Sequence, residues 1–183
     1  MADKFSLLWG DLSEKVELST ITKCSEDDDK KEYLVKSEKV VINFDEVSKI
    51  LAKELQVAKP SSVDTLYVQD GLLYLIEFKN TTKPKPDEVR VKVHDTLAIL
   101  ALSGYITDAD HHFIKMILVR KFKGTARKEG RRLENAGLQP QLRKGLDFLQ
   151  KVYPFVEFFD MSPDDYKELI NKQNNNEVSP CTQ

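Results

Sequence analysis

The stretch from Ser61 to Asn80, SSVDTLYVQDGLLYLIEFKN, decides how this chain is read. Asp70-Gly71 at its centre suits a two-residue type I′ turn, because both central positions of that turn need positive φ. With those two residues as the turn, Gln69 and Leu72 close a hairpin. The pairing then follows: Val68 with Leu73, Tyr67 with Tyr74, Leu66 with Leu75, Thr65 with Ile76, and Asp64 with Glu77. The last is a non-hydrogen-bonded pair, a geometry that brings Cα atoms to about 4.5 Å. Lys79 lies two residues beyond Glu77 and therefore points to the same face. LLYLI, just before Glu77, is apolar on both faces, as in a central strand covered on both sides.

Two carboxylates face to face repel each other, and charge at a sheet position costs stability unless something compensates it. A divalent cation would do so. Mg²⁺ takes hard oxygen ligands, often one or two carboxylates completed by waters and substrate phosphates. Lys79 beside it would offer a positive donor to a phosphate oxygen or an attacking water. Those are the parts of metal-assisted phosphodiester hydrolysis. The competing explanation is a salt-bridged surface patch, in which Glu77 pairs with Lys79 or with a lysine of a neighbouring strand.

Working outward, residues 1–25 read as an irregular or extended arm and SEDDDKKE (25–32) as a solvated charge run. EYLVKSEKVVINF has strand character. Phe44, Val47, Ile50, Leu51 and Leu55 recur at helical spacing from Asn43 onward, and Pro60 and two serines close that segment. After the hairpin a helix carries Val89, Val93, Leu97 and Leu100 on one stripe and Val91, Ala98 and Leu102 on another, which predicts burial on two sides. Gly104 ends it. HFIKMILVRKF is a strand, QLRKGLDFLQKVY a helix and FVEFFD a short strand. SPDDYKELINK is a last helix with Ser162 as N-cap and Pro163 at its first position. The expected architecture is α/β, with a central mixed sheet flanked by helices. Residues 1–42 form an arm and strand packed on the core, 43–170 the core, and 171–183 a polar, disordered tail.

The bulk numbers agree. The chain has 183 residues, enough for one domain with a sizeable core, and is 40% hydrophobic and 32% charged. Its net charge of -2 gives no global sign of nucleic-acid binding, so local charge must carry that argument. Two cysteines, Cys24 and Cys181, without a CxxC or Cys/His cluster, argue against zinc and against a disulfide framework. No signal peptide or membrane span is expected, which predicts a cytoplasmic protein.

Asp64 followed by Glu77 and Lys79 in LIEFKN resembles the PD-(D/E)XK nuclease superfamily, the restriction-endonuclease-like fold. The element order from about residue 43 to 122 is similar as well. Val63 stands where the motif's proline would be. The resemblance implies a metal-dependent nuclease, with Asp64 and Glu77 holding Mg²⁺ (or Mn²⁺) and Lys79 positioning or activating water. An inactive member of the fold, binding nucleic acid or protein, is the alternative. An acidic residue from the preceding helix often joins such sites. Glu54, within the apolar stripe, is the preferred candidate, and Glu46 is the second. Arg90 and His94 share one side of the next helix. RKFKGTARKEGRR (120–132) carries seven basic residues, among them Arg127, Lys128, Arg131 and Arg132, and such a cluster neutralises phosphates in a salt-sensitive way. The implied partner is nucleic acid, DNA or RNA. A homodimer is a candidate, and no membrane is expected.

Overall fold

Asp70 and Gly71 both have positive φ, 52° and 72°, so the turn is built as its sequence predicts. In the computed structural model, which describes residues 4–27, 30–122, 131–132, 147–154 and 156–176, this turn joins the two strands at the centre of the sheet.

Along the chain come helix α1 (Lys4–Lys15), strand β1 (Leu18–Thr20), helix α2 (Ile21–Cys24), strands β2 (Glu26–Asp27), β3 (Glu32–Tyr33) and β4 (Val40–Asn43), and helix α3 (Phe44–Glu54). The hairpin strands β5 (Thr65–Gln69) and β6 (Leu72–Lys79) follow, then helix α4 (Pro86–Leu102), a 3-10 segment (Asp108–Phe113), and strands β7 (Ile114–Arg120) and β8 (Arg131–Arg132). Residues 147–152 are helical (α5), and strand β9 (Glu157–Met161) and helix α6 (Pro163–Asn176) end the described chain.

Seven strands form one sheet in the order β1-β4-β5-β6-β7-β9-β8. The strands from β1 to β6 pair antiparallel, β6-β7 and β7-β9 are parallel, and β8 returns antiparallel on β9. The sheet is mixed because α4 carries the chain from β6 back to the start of β7, the crossover that parallel strands require. β6 has a neighbour on each side and both its faces are covered, as its run of apolar residues predicts.

Alternation along β6 sends Leu73 and Leu75 to one core, shared with α1, α3 and α4, and Tyr74, Ile76 and Phe78 to the other, shared with α2 and α6. Glu77 and Lys79 continue the first set, so they point under α3 and α4. The ends of these helices are set by local chemistry. Asn43 caps α3 by accepting the Asp45 N–H at 3.0 Å. α4 begins with Pro86 and has Asp87 and Glu88 in its first turn, where they favour the helix dipole, and Gly104 follows its C-cap with φ 77°. Ser162 accepts the Asp165 N–H at 3.1 Å and donates to its carboxylate at 2.7 Å, a reciprocal cap for α6.

Three expectations are corrected. The N-terminal residues are not an irregular arm: Lys4–Lys15 is a helix that buries Phe5, Leu8 and Leu12, apolar residues one turn apart on one face. α4 is buried on one side alone, with Val91 and Leu102 exposed, because the sheet covers one face and nothing described covers the other. Residues 171–176 of the expected tail continue α6, and 177–183 lie outside the described residues. Within the basic segment, Arg131 and Arg132 form the edge strand β8, paired with Asp160 and Phe159. Arg127 and Lys128 lie outside the described residues.

Candidate functional site

The hairpin ladder reproduces the expected pairs from Gln69–Leu72 to Thr65–Ile76 and then stops. Asp64 does not continue it opposite Glu77. Its N–H donates to the Ile76 carbonyl at 3.0 Å, so Asp64 and Thr65 both face Ile76, as in a bulge. A bulge re-aims a side chain. Here the Asp64 carboxylate turns back to accept the Phe78 N–H at 2.6 Å.

The segment leading to Asp64 is held by side chains of both covering helices. From α4, Asp95 accepts the Ser61 N–H at 3.2 Å and Thr96 accepts the Val63 N–H at 3.0 Å. From α3, Asp45 accepts the Ser62 hydroxyl, and Ser48 lies 3.3 Å from the same hydroxyl. A short stretch without regular structure is thereby fixed at three consecutive residues, and Asp64 is presented at its end.

Asp64 and Glu77 meet on a third residue that the sequence reading did not single out. Lys92, from α4, places its Nζ 3.0 Å from Asp64 Oδ1, 2.8 Å from Glu77 Oε1 and 3.0 Å from Glu77 Oε2. Lys79 Nζ lies 3.1 Å from Glu77 Oε1, with Glu88 of α4 at 3.9 Å on its other side. Glu77 is fully enclosed, whereas Asp64, Lys79 and Lys92 keep 22%, 21% and 26% of their side-chain surface in solvent. The site is thus a buried carboxylate behind a carboxylate and two ammonium groups that reach solvent.

The electrostatics follow from that placement. Burial and the neighbouring Asp64 charge push the Glu77 carboxyl up to about 8, against the pull of the two lysines. Asp64 is raised by the same burial, offset in part by Lys92 and by the Phe78 N–H. Burial works against the Lys92 charge, but the two carboxylates overcome it and hold the ammonium protonated. Although Glu77 Oε1 touches both lysines, neither contact has the angles of a hydrogen bond, so this enclosed oxygen is unsatisfied.

The other candidates separate from this group. Glu54, the expected helix ligand, ends α3 in an exposed ion pair with Lys15 at 3.1 Å. The reason is the helix face: Phe44, Val47, Ser48, Leu51 and Ala52 point inward, which turns Glu54 out. Glu46 pairs with Lys49 on the surface. The α3 carboxylate that feels the Lys92 charge is Asp45, which burial raises but which Ser62, Lys59 and Lys92 together bring below the usual range. Arg90 pairs with Asp87 and lies over the Phe148 ring, and exposed His94 contacts its neighbour Asp95. Among the described residues no group of three or more His, Cys, Asp or Glu side chains is arranged to hold a metal ion, so a cation seat here rests on two carboxylates.

Beside the cluster on the same sheet face lies a second buried charge pair. Arg120, paired in register with Lys79, donates through Nε and Nη2 to the two oxygens of Asp160 at 2.9 and 2.8 Å, and through Nη1 to the Thr82 carbonyl at 3.1 Å. The only signal of Lys92 was position, two turns into a helix that follows the E-x-K strand, whereas Arg120 was counted in the basic segment and its pairing with Asp160 was not read.

Fold and site define an α/β protein with a mixed sheet and a buried charge cluster at the ends of its central strands. Compared with protein-family models, with curated proteins and with solved structures, the chain matches none. No helix among the described residues is long and apolar enough to cross a membrane.

Proposed function

We propose that the chain is a metal-dependent nuclease of the PD-(D/E)XK kind, hydrolysing phosphodiester bonds of nucleic acid. The observation that carries this reading is the convergence of Asp64, Glu77 and Lys79 under α4, with one carboxylate oxygen enclosed and unsatisfied. The order α3, β5, β6, α4, β7 supports it, being the order the resemblance implies.

The donor set fits a hard cation. Asp64 and Glu77 would hold Mg²⁺ or Mn²⁺, with waters and a substrate phosphate completing the shell. Such an ion would supply polarisation of a phosphate and a more acidic water. Lys79, partly exposed beside Glu77, holds a positive charge where negative charge gathers on the phosphate during attack. The helices exclude bulk water from the Glu77 side. Charge favours an anionic substrate too: once a cation holds both carboxylates ionised they balance the two ammonium groups, so a divalent cation leaves a positive surplus that a phosphodiester matches.

One observation favours a second reading. Lys92 already bridges the two carboxylates, which is the compensation that a non-catalytic binding module of the same fold would need. The test is cleavage of single- and double-stranded DNA and RNA with Mg²⁺, Mn²⁺ or Ca²⁺. We expect turnover with the first two and binding with little turnover for Ca²⁺, whose looser coordination positions water poorly. Lys79→Ala should lose most cleavage while keeping metal binding, and Glu77→Ala should lose both. A wild type that cleaves none of the substrates, or a Lys79→Ala variant that cleaves as well, would replace the nuclease with the binding module.

A further inference from the structure

Lys92 stands where a cation bound to both carboxylates would stand. Its Nζ contacts three carboxylate oxygens of Asp64 and Glu77 within 3.0 Å. Without it, two carboxylates, one fully enclosed, would face each other with Lys79 alone, and Lys79 touches Glu77 but makes no described contact with Asp64. Buried charges left without partners are strongly unfavourable. Lys92 is therefore the group that makes the pair tolerable in the folded chain.

Its side chain also has somewhere to go. A quarter of it reaches solvent, whereas Glu77 has no such route. One helical turn earlier, on the same strip of α4, Glu88 carries a half-exposed carboxylate whose charge already feels Lys92. A flexible four-carbon stem lets an ammonium reach one carboxylate or another without moving the backbone.

We propose that Lys92 is a resident cation of the Asp64–Glu77 seat, holding the pair together while no metal is bound and yielding its place, toward Glu88 and solvent, when a divalent cation enters. The inference rests on the metal reading above and adds a regulation to it: the affinity for metal is set by the cost of displacing Lys92. Apo protein keeps a compensated site, in which Lys92 bridges the pair. Metal enters when its own binding outweighs the lost ion pairs, and the released ammonium then lies beside the position a phosphate would take.

The test is calorimetric titration of the full chain with Mn²⁺, alongside thermal unfolding in chelator and in saturating Mn²⁺. Lys92→Met removes the ammonium and keeps the stem. It should melt below wild type in chelator, recover in Mn²⁺, and bind Mn²⁺ at least tenfold more tightly. Lys79→Met, which removes the same charge next to the same oxygen, should tighten binding by much less. Equal affinities for wild type and Lys92→Met, or equal tightening by both variants, would overturn the resident-cation inference and leave the metal reading standing. A Lys92→Met chain that stays unfolded even in Mn²⁺ would overturn it as well. If neither wild type nor Lys92→Met binds Mn²⁺ or Mg²⁺, the metal reading itself falls and the inference falls with it.

Discussion

Two buried charge clusters sit side by side on one face of this sheet, and they differ in how completely their bonds are met. In the Arg120–Asp160 pair both carboxylate oxygens accept from a fixed fork and the remaining guanidinium nitrogen finds the Thr82 carbonyl. Each guanidinium nitrogen and each carboxylate oxygen has a partner, and almost none of the pair reaches solvent, with side-chain exposures of 4% and 0%. In the Asp64–Glu77 cluster one ammonium serves two carboxylates, an enclosed oxygen lacks a proper donor, and both lysines open to water. Burial of charge alone therefore does not mark a functional site. A saturated pair stabilises one geometry; an unsaturated cluster with movable cations keeps the capacity to bind something else.

The comparison breaks most readily at the saturated pair. Arg120→Ala leaves Asp160 enclosed without its partner, and urea unfolding should show a loss of about 3–5 kcal/mol. Replacing both residues, as Arg120→Met with Asp160→Leu, should restore most of it, since an apolar pair of similar volume is often neutral. In the other cluster Lys92→Met should cost less, about 1–3 kcal/mol. Glu77, whose carboxyl is already pushed up to about 8, can take a proton and shed its charge. Equal losses at the two sites would remove the distinction between them.

That raised carboxyl also predicts a pH dependence. A proton that binds Glu77 more tightly in the folded chain adds stability that is complete at low pH and is lost as pH rises from about 4.5 to about 8. Asp64 and Asp160, also raised by burial, add to the same slope, while the raised Lys92 acts at far higher pH. Denaturant midpoints across that range should therefore fall in the wild type, by no more than about 1.4 kcal/mol per pH unit for one proton. Glu77→Gln should flatten the fall. A variant that keeps the wild-type slope would assign it elsewhere.

Smaller effects are expected where charge is removed without leaving a partner stranded. Asp64→Asn keeps an acceptor for the Phe78 N–H and relieves the carboxylate pair, so chelator melts should stay within about 1 kcal/mol of wild type. A large loss would make Asp64 a contact the fold requires. Glu54→Gln, in an exposed pair with Lys15, should change stability by less than about 1 kcal/mol and leave Mn²⁺ affinity untouched. A measurable loss of affinity would return Glu54 to the site.

What could be read in advance was local. Asp70-Gly71 set the turn and four of the five expected pairs below it, because a two-residue turn fixes register by counting. The face shared by Glu77 and Lys79 followed from alternation alone. The bulge at Asp64 could not be counted, since it depends on backbone held by Asp95 and Thr96 from a helix about thirty residues later. The pairings of Lys92 and Arg120 were illegible for the same reason: their partners lie 15, 28 and 40 positions away, and only the packed sheet brings them together. Glu54 misled because Ile50 was counted into the inner stripe of α3, whereas the small residues Ser48 and Ala52 occupy that face. The α1 helix was missed because its buried positions, Phe5, Leu8 and Leu12, are few and flanked by charge.

The central claim, that Asp64 and Glu77 form a cation seat, is tested most directly by anomalous diffraction from a crystal soaked in Mn²⁺. The account predicts a manganese peak in contact with both carboxylates, with the Lys92 ammonium withdrawn from them. No peak at that position in a fully soaked crystal, with Lys92 still bridging Asp64 and Glu77, would contradict it.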